Sequence, residues 1–164
     1  MPQFPSRIVR YGSPALKKKA AEVQKPFAET RKLIAHMKRV MIENHGVGLA
    51  APQIGISYRA IVVQSPKKIL GFINPKIVRK SAEKIMGEEG CLSVPGVFVP
   101  IKRSTAVEVE CETSEGASVR ILAKGLVARI FQHEIDHIEG KLIIDHLSLR
   151  NRWKLRKALK QIRQ

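Results

Sequence analysis

Gln132-His133-Glu134-Ile135-Asp136-His137 is the stretch from which the rest of the chain is read. It contains His-Glu-x-x-His. On a helix, His133 and His137 project from one face, one turn apart. Two neutral imidazoles at this spacing hold a divalent metal, and Glu134 beside them can take a proton from water that the metal acidifies. The bland alternative is a surface helix with two unrelated histidines. The neighbours argue against it, because Leu126, Val127, Ile130, Phe131, Ile135 and Ile138 make the segment apolar on nearly every side. An interior helix needs a reason to bury His, Glu and His, since unpaired buried polar groups are costly. A metal is such a reason.

Outward from this helix, Gly125 precedes it and Gly140 ends it. The middle of the chain reads as strands: Tyr58–Val63, Gly71–Val78 with Pro75 marking an edge or bulge, Glu83–Glu89, Val97–Arg103, Thr105–Thr113 and Ala117–Ala123. In Thr105–Thr113, Val107, Val109 and Cys111 alternate with Ala106, Glu108 and Glu110, which makes Cys111 a buried core thiol. Ser114-Glu115-Gly116 is a turn. Towards the N-terminus, Ser13 caps a short helix that begins at Pro14 and runs to about Ala21. Pro26 opens a longer helix. Its apolar spacing runs through Phe27, Thr30, Ile34, Met37 and Met41, with Leu33 and Val40 beside them and Gly46 as C-cap. Gly46–Gly55 reads as a tight buried loop whose small residues let backbone approach something closely. It lacks the Lys-Ser/Thr of a phosphate loop. The expected class is α+β: a mostly antiparallel sheet around a central metal-binding helix, with an N-terminal helix and a C-terminal basic helix.

At 164 residues the chain suits one domain, 1–164. No stretch is long enough to span a bilayer, the start lacks the apolar core of a signal peptide, and two cysteines make no disulfide framework. A cytoplasmic protein without membrane contact is expected. Thirty Lys and Arg against fourteen Asp and Glu leave a net charge of +16, which attracts polyanions without sequence preference. No zinc-finger spacing or aromatic-rich RNA-binding motif accompanies it. Ser148–Gln164 reads as an amphipathic helix capped by Ser148. Leu155, Leu159 and Ile162 form its stripe, and seven Lys and Arg from Arg150 to Arg163 make the rest basic.

A catalytic site needs a third ligand. Asp145, eight residues after His137, and Cys91, from a distant strand or loop, are the contenders. Around Cys91, Gly90 allows a sharp bend and Leu92 can offer its N–H. Gly46-Val47-Gly48-Leu49-Ala50-Ala51-Pro52-Gln53, Glu89-Gly90-Cys91-Leu92-Ser93 and Gln132–His137, in this order, resemble the three signature motifs of bacterial-type peptide deformylases. Ile8–Leu16 resembles that family's N-terminus. The likeness covers nearly the whole chain and departs at no motif position, though the charge is more basic than the family leads one to assume.

The resemblance implies removal of the formyl group from N-formylmethionyl peptides, with release of formate. It implies Cys91, His133 and His137 as ligands of one divalent metal, Fe²⁺ in the cell, with Zn²⁺, Ni²⁺ or Co²⁺ able to substitute. It also implies docking of the basic C-terminal helix near the ribosomal exit tunnel. Glu134 is then the expected base and acid, and the Gln53 side chain and Leu92 N–H the expected oxyanion donors. Gly48 and Gly90 leave backbone open for a strand-like peptide. Methionine is expected in an apolar pocket beside His133, lined by Leu126, Arg129 and Ile130 one turn back on the helix with Val47 opposite. Glu89 and Arg103 are either paired or both solvated. A monomer is expected. Two other readings stay open: another metal hydrolase using Asp145, and a ribosome- or RNA-binding protein with a structural metal.

Overall fold

The computed structural model describes residues 4–24 and 28–163. The expected helix start at Pro26 and Phe27, and the chain end at Gln164, lie outside them. Helix α1 spans Ala28–Glu43, and its buried residues Thr30, Leu33, Ile34, Met37, Val40 and Met41 keep the three-to-four spacing read from the sequence. Its end differs from expectation. His45, not Gly46, adopts the left-handed conformation (φ 54°), and the Gly46 N–H closes back on the Met41 carbonyl.

Seven strands follow: β1 (Gly48–Ala50), β2 (Ala60–Gln64), β3 (Ile69–Lys80), β4 (Lys84–Cys91), β5 (Val94–Ser104), β6 (Ala106–Glu112) and β7 (Ser118–Lys124). They form two antiparallel assemblies. One is a five-stranded sheet in the order β1-β2-β3-β6-β7, and the other a two-stranded β4-β5 ribbon. The Gly46–Gly55 segment is therefore not a plain loop. It holds the edge strand β1 and then a 3₁₀ turn over Ala51–Ile54. Pro75 sits at a register shift where β3 passes from β2 to β6, the place where a missing N–H is tolerated.

Helix α2 (Gly125–Ile138) and α1 pack on opposite faces of the five-stranded sheet. On β2, Ile61 and Val63 point into the cluster with Phe131, Ile135 and Ile138, while Ala60 and Val62 join Leu33, Ile34 and Met37 on the other face. The period of two in a strand covered on both sides explains why β2 is apolar throughout. Cys111 lies in the α2 cluster, as its alternation suggested. A third cluster joins Val97, Val99 and Ile101 of the ribbon to Leu16, Leu142–Ile144 and Leu159.

Two helical expectations are corrected. The segment after Ser13 is a single 3₁₀ turn, Pro14–Lys17, with the Ser13 hydroxyl accepting from the Ala15 N–H. Beyond it Ala20 donates to the Ile138 carbonyl and Ala21 bridges to Tyr58, so tertiary backbone bonds take the chain out of the helix. The C-terminal segment is two short helices, α3 (Leu149–Lys154) and α4 (Arg156–Ile162). They meet at Leu155, whose N–H bonds three residues back to Arg152. Ser148 caps α3 through the Asn151 N–H. Leu159 is buried, whereas Trp153 stays exposed with Arg156 stacked over its ring at 3.5 Å. Among the described residues no helix is long and apolar enough to cross a membrane.

Candidate metal centre and active site

Helix α2 brings His133, Glu134 and His137 beneath the turn that ends β4. Gln132 fixes the helix there. Its amide donates to the Ser104 and Ala128 carbonyls, and its Oε1 accepts from the Ser104 N–H. β4 ends at Cys91, and Leu92-Ser93 is the two-residue turn into β5. Cys91 Sγ lies 3.3 Å from His137 Nε2, which lies 3.2 Å from His133 Nε2. One ligand atom from each of the three residues falls within 4.8 Å of the others. Three donors converging with so little room for protons between them, one soft and two borderline, fit a single divalent cation. Glu134 adds a further sign. Its carboxylate is buried beside this cluster, and Oε2 has no hydrogen-bond partner among the described residues.

The electrostatics follow from burial and neighbours. Burial alone raises the Cys91 thiol, yet the charge of His137 and the hydrogen bonds of both histidines bring it down to about 5. Burial raises the Glu134 carboxyl to about 7, only partly offset by the two histidines. Burial also works against the Glu89 carboxylate, but hydrogen bonds from His133 and Arg103 hold it well below the usual carboxylate range.

Glu89 is the residue whose position in the site the sequence did not disclose. Its Oε2 receives His133 Nδ1 at 2.9 Å and Arg103 Nη2 at 3.0 Å; its Oε1 receives Arg103 Nε at 2.9 Å and Arg129 Nη1 at 2.8 Å. The Glu89–Arg103 pair is thus formed and buried. Partners 14, 40 and 44 residues away leave no local signature. Ser93 is a second omission. Gln53 accepts from the Ala50 N–H through Oε1 at 2.8 Å, which turns its Nε2 towards Ser93 Oγ (3.3 Å) and Cys91 Sγ (3.6 Å).

The cluster opens into a cavity of about 760 Å³. Val47, Gly48, Gln53, Gly90, Cys91, Leu92, Leu126, Arg129, Ile130, His133 and Glu134 all line it, and His137 is buried below. Ser6, Arg7 and Arg10 of the N-terminal segment and Pro95 and Phe98 of the ribbon also line it, none of them foreseen as site residues. Val47 and Leu126 are exposed, and Ile130 is buried. Arg129 is tied up: besides Glu89 it donates to the Ile85 and Ile101 carbonyls, clamping the ribbon onto α2. Gly48 passes so close to Glu134 that a Cβ there would collide with its Oε1. Asp145, the rival third ligand, lies apart from the cluster. Its carboxylate binds Lys17, Arg152 and the Leu142 N–H.

A helix carrying two histidines and a carboxylate, a cysteine on a strand end beside them and an open cleft make up a site of metallohydrolase type. Residues 5–153 match the polypeptide deformylase family model. A peptide deformylase of Dictyoglomus turgidum is 46% identical over 138 residues, covering 84% of this chain and 90% of that protein. One from Thermotoga maritima is 43% identical over 156 residues, 95% of each. The Ehrlichia chaffeensis peptide deformylase crystallised with actinonin superposes with a TM-score of 0.91 at 36% identity, covering 99% of this chain and all of that one. The chain belongs to the polypeptide deformylase family.

Proposed function

We propose that this protein removes the formyl group from the N-terminal formylmethionine of peptides, releasing formate and a free amine. The observation that carries the reading is the convergence of Cys91, His133 and His137 beside the buried Glu134 carboxylate, at the floor of an open cleft, in a chain of this family. Cys91, His133 and His137 would hold one divalent metal, with Fe²⁺ the cellular ion and Zn²⁺, Ni²⁺ or Co²⁺ able to replace it. When bound, the metal supplies Lewis-acid polarisation and acidified water.

The chain's own groups do the rest. Glu134 accepts a proton from the attacking water and returns it to the nitrogen that leaves. A carboxyl raised to about 7 by burial is suited to both tasks near neutral pH. Gln53 Nε2 and the Leu92 N–H donate to the oxygen that gains charge. Gln53 is poised for this because Ala50 fixes its other end. Gly48 and Gly90 leave backbone free to pair with an extended peptide. Val47, Leu126, Ile130 and the stem of Arg129 offer the apolar wall for methionine. We further assign the basic α3–α4 segment a docking role at the ribosome, and we take the protein to be a cytoplasmic monomer.

The test is formate release from formyl-Met-Ala-Ser by the metal-loaded protein and its Glu134→Ala variant. Turnover that disappears in the variant while metal and fold are kept supports the assignment. Equal turnover in both would remove Glu134 from the chemistry.

A further inference from the structure

We propose that His146, acting through Asp136, Arg103 and Glu89, is a positioning residue for the His133 ring. This deepens the metal-site reading and rests on it. His133 turns Nε2 towards Cys91 and His137, so only its Nδ1 is left to fix how the ring lies. That atom is held by Glu89 Oε2 at 2.9 Å. Glu89 is in turn gripped in two-pronged fashion by Arg103. The remaining nitrogen of the same guanidinium, Nη1, donates to Asp136 Oδ2 at 2.7 Å. Asp136 Oδ2 is shared with His146 Nε2, also at 2.7 Å. The chain therefore runs from His146, at the end of the 3₁₀ turn Ile143–His146, through three ionic groups to a metal ligand.

Each link has a geometric reason to transmit orientation. A guanidinium is planar, so holding one edge on Asp136 sets the plane that its other edge presents to Glu89. Arg103 is buried, with a side-chain exposure of 6%, so no water takes the place of a lost partner. Asp136 is more open at 22%, and His146 is the second group on the oxygen that Arg103 uses. Without His146 that carboxylate is free to turn towards solvent and draw the guanidinium with it. His137 has no comparable support. Its Nδ1 is buried with no hydrogen-bond partner among the described residues, so on that side of the ring only packing holds it.

The competing explanation is that His146 merely fastens its turn to α2. The turn has a second, independent fastening: Lys17 Nζ to Asp145 Oδ2 at 2.6 Å, which does not touch the relay. That contact supplies the control. Co²⁺-loaded wild type, His146→Ala, His146→Gln and Lys17→Ala are compared for Co²⁺ release to excess chelator and for the visible spectrum of the bound ion. Partners of metal-bound histidines typically affect metal affinity ten- to a hundredfold; from a more distant position His146→Ala should release Co²⁺ about three- to tenfold faster and shift the cobalt bands. His146→Gln places an amide donor where the imidazole donor was and should restore both readouts. Lys17→Ala should leave both at wild-type values even if the melting temperature falls. Should the alanine variant not fold, His146→Phe keeps a ring and removes the donor. Release and spectra that are unchanged in the donor-less variant, or changed equally in Lys17→Ala, would overturn the proposal. A wild type that takes up no stoichiometric Co²⁺ would instead overturn the metal reading beneath it.

Discussion

Gly48→Ala adds one methyl group at the point where β1 passes the base. The new Cβ would sit 2.3 Å from Glu134 Oε1, 2.8 Å from its Cδ and 2.8 Å from Ile130 Cγ2. Restoring an ordinary contact of about 3.4 Å requires a displacement of about 1 Å. β1 has little freedom to retreat, being paired with β2 along Gly48–Ala50 and buried throughout. Ile130 Cγ2 must also give, but Ile130 is packed in the α2 cluster, so the larger shift falls on the Glu134 carboxylate. A misplacement of about 1 Å can lower the rate about a hundredfold, which corresponds to roughly 2.7 kcal/mol of barrier. The overpacking should also lower stability by about 1–3 kcal/mol. The assay is kcat/KM for formyl-Met-Ala-Ser, with metal content and melting temperature measured on the same samples. The expected variant is folded, holds its metal and turns over about a hundredfold more slowly. A folded, metal-replete Gly48→Ala protein within threefold of wild type would refute the claim that a Cβ at position 48 displaces the Glu134 carboxylate from its working position.

Other consequences are open to direct measurement. Arg103→Ala takes from buried Glu89 one of its two arginines, leaving Arg129 and His133, and should cost roughly 1–3 kcal/mol, read as a lowered melting temperature; an unchanged midpoint would show that Arg129 and His133 alone satisfy Glu89. In metal-stripped protein at neutral pH, iodoacetamide should modify Cys91, brought down to about 5 by its histidines, well before Cys111, which burial pushes up to about 11. Peptide mass spectrometry showing Cys111 labelled first would contradict this. With Glu134 as base, kcat/KM falls as pH drops through its pKa. Burial, partly offset by the two histidines, puts that at about 7, and a neighbouring cation pulls it lower, so the acid limb belongs below pH 7. An acid limb that survives in Glu134→Gln would belong to another group. A ferrous site with a thiolate ligand open to solvent should lose activity in air faster than the nickel-loaded form, and equal decay curves would speak against iron oxidation at Cys91.

The elements legible in the sequence are those whose pattern is local. α1 and α2 carry a helical period over many residues, and the alternation of Val107, Val109 and Cys111 settles the face of β6. β1 escaped because Gly48-Leu49-Ala50 is too short to show a period, and its strand character comes from β2 beside it. The Pro14 helix stopped early because Ala20 and Ala21 find backbone partners in Ile138 and Ser57, contacts that propensity cannot anticipate. The separation of β4-β5 from the main sheet is a matter of register between distant strands. At the site, His133, Glu134 and His137 are fixed by spacing on one helix. Cys91 needed its motif context, and Glu89, Ser93, Asp136 and His146 enter only when three segments meet in space. Arg129 was expected in the methionine pocket; it lines the cleft, but its guanidinium is engaged with Glu89 and the Ile85, Gly87 and Ile101 carbonyls of the ribbon.

The most direct measurement is formate release from formyl-Met-Ala-Ser by protein prepared without oxygen, with metal quantified in the same sample. The expected result is about one divalent metal per chain, consistent with the single Cys91–His133–His137 group among the described residues, and multiple turnovers of formate. One metal per chain with no formate from any formylated peptide would mean that the cluster is structural or serves another substrate, and would contradict the proposed function.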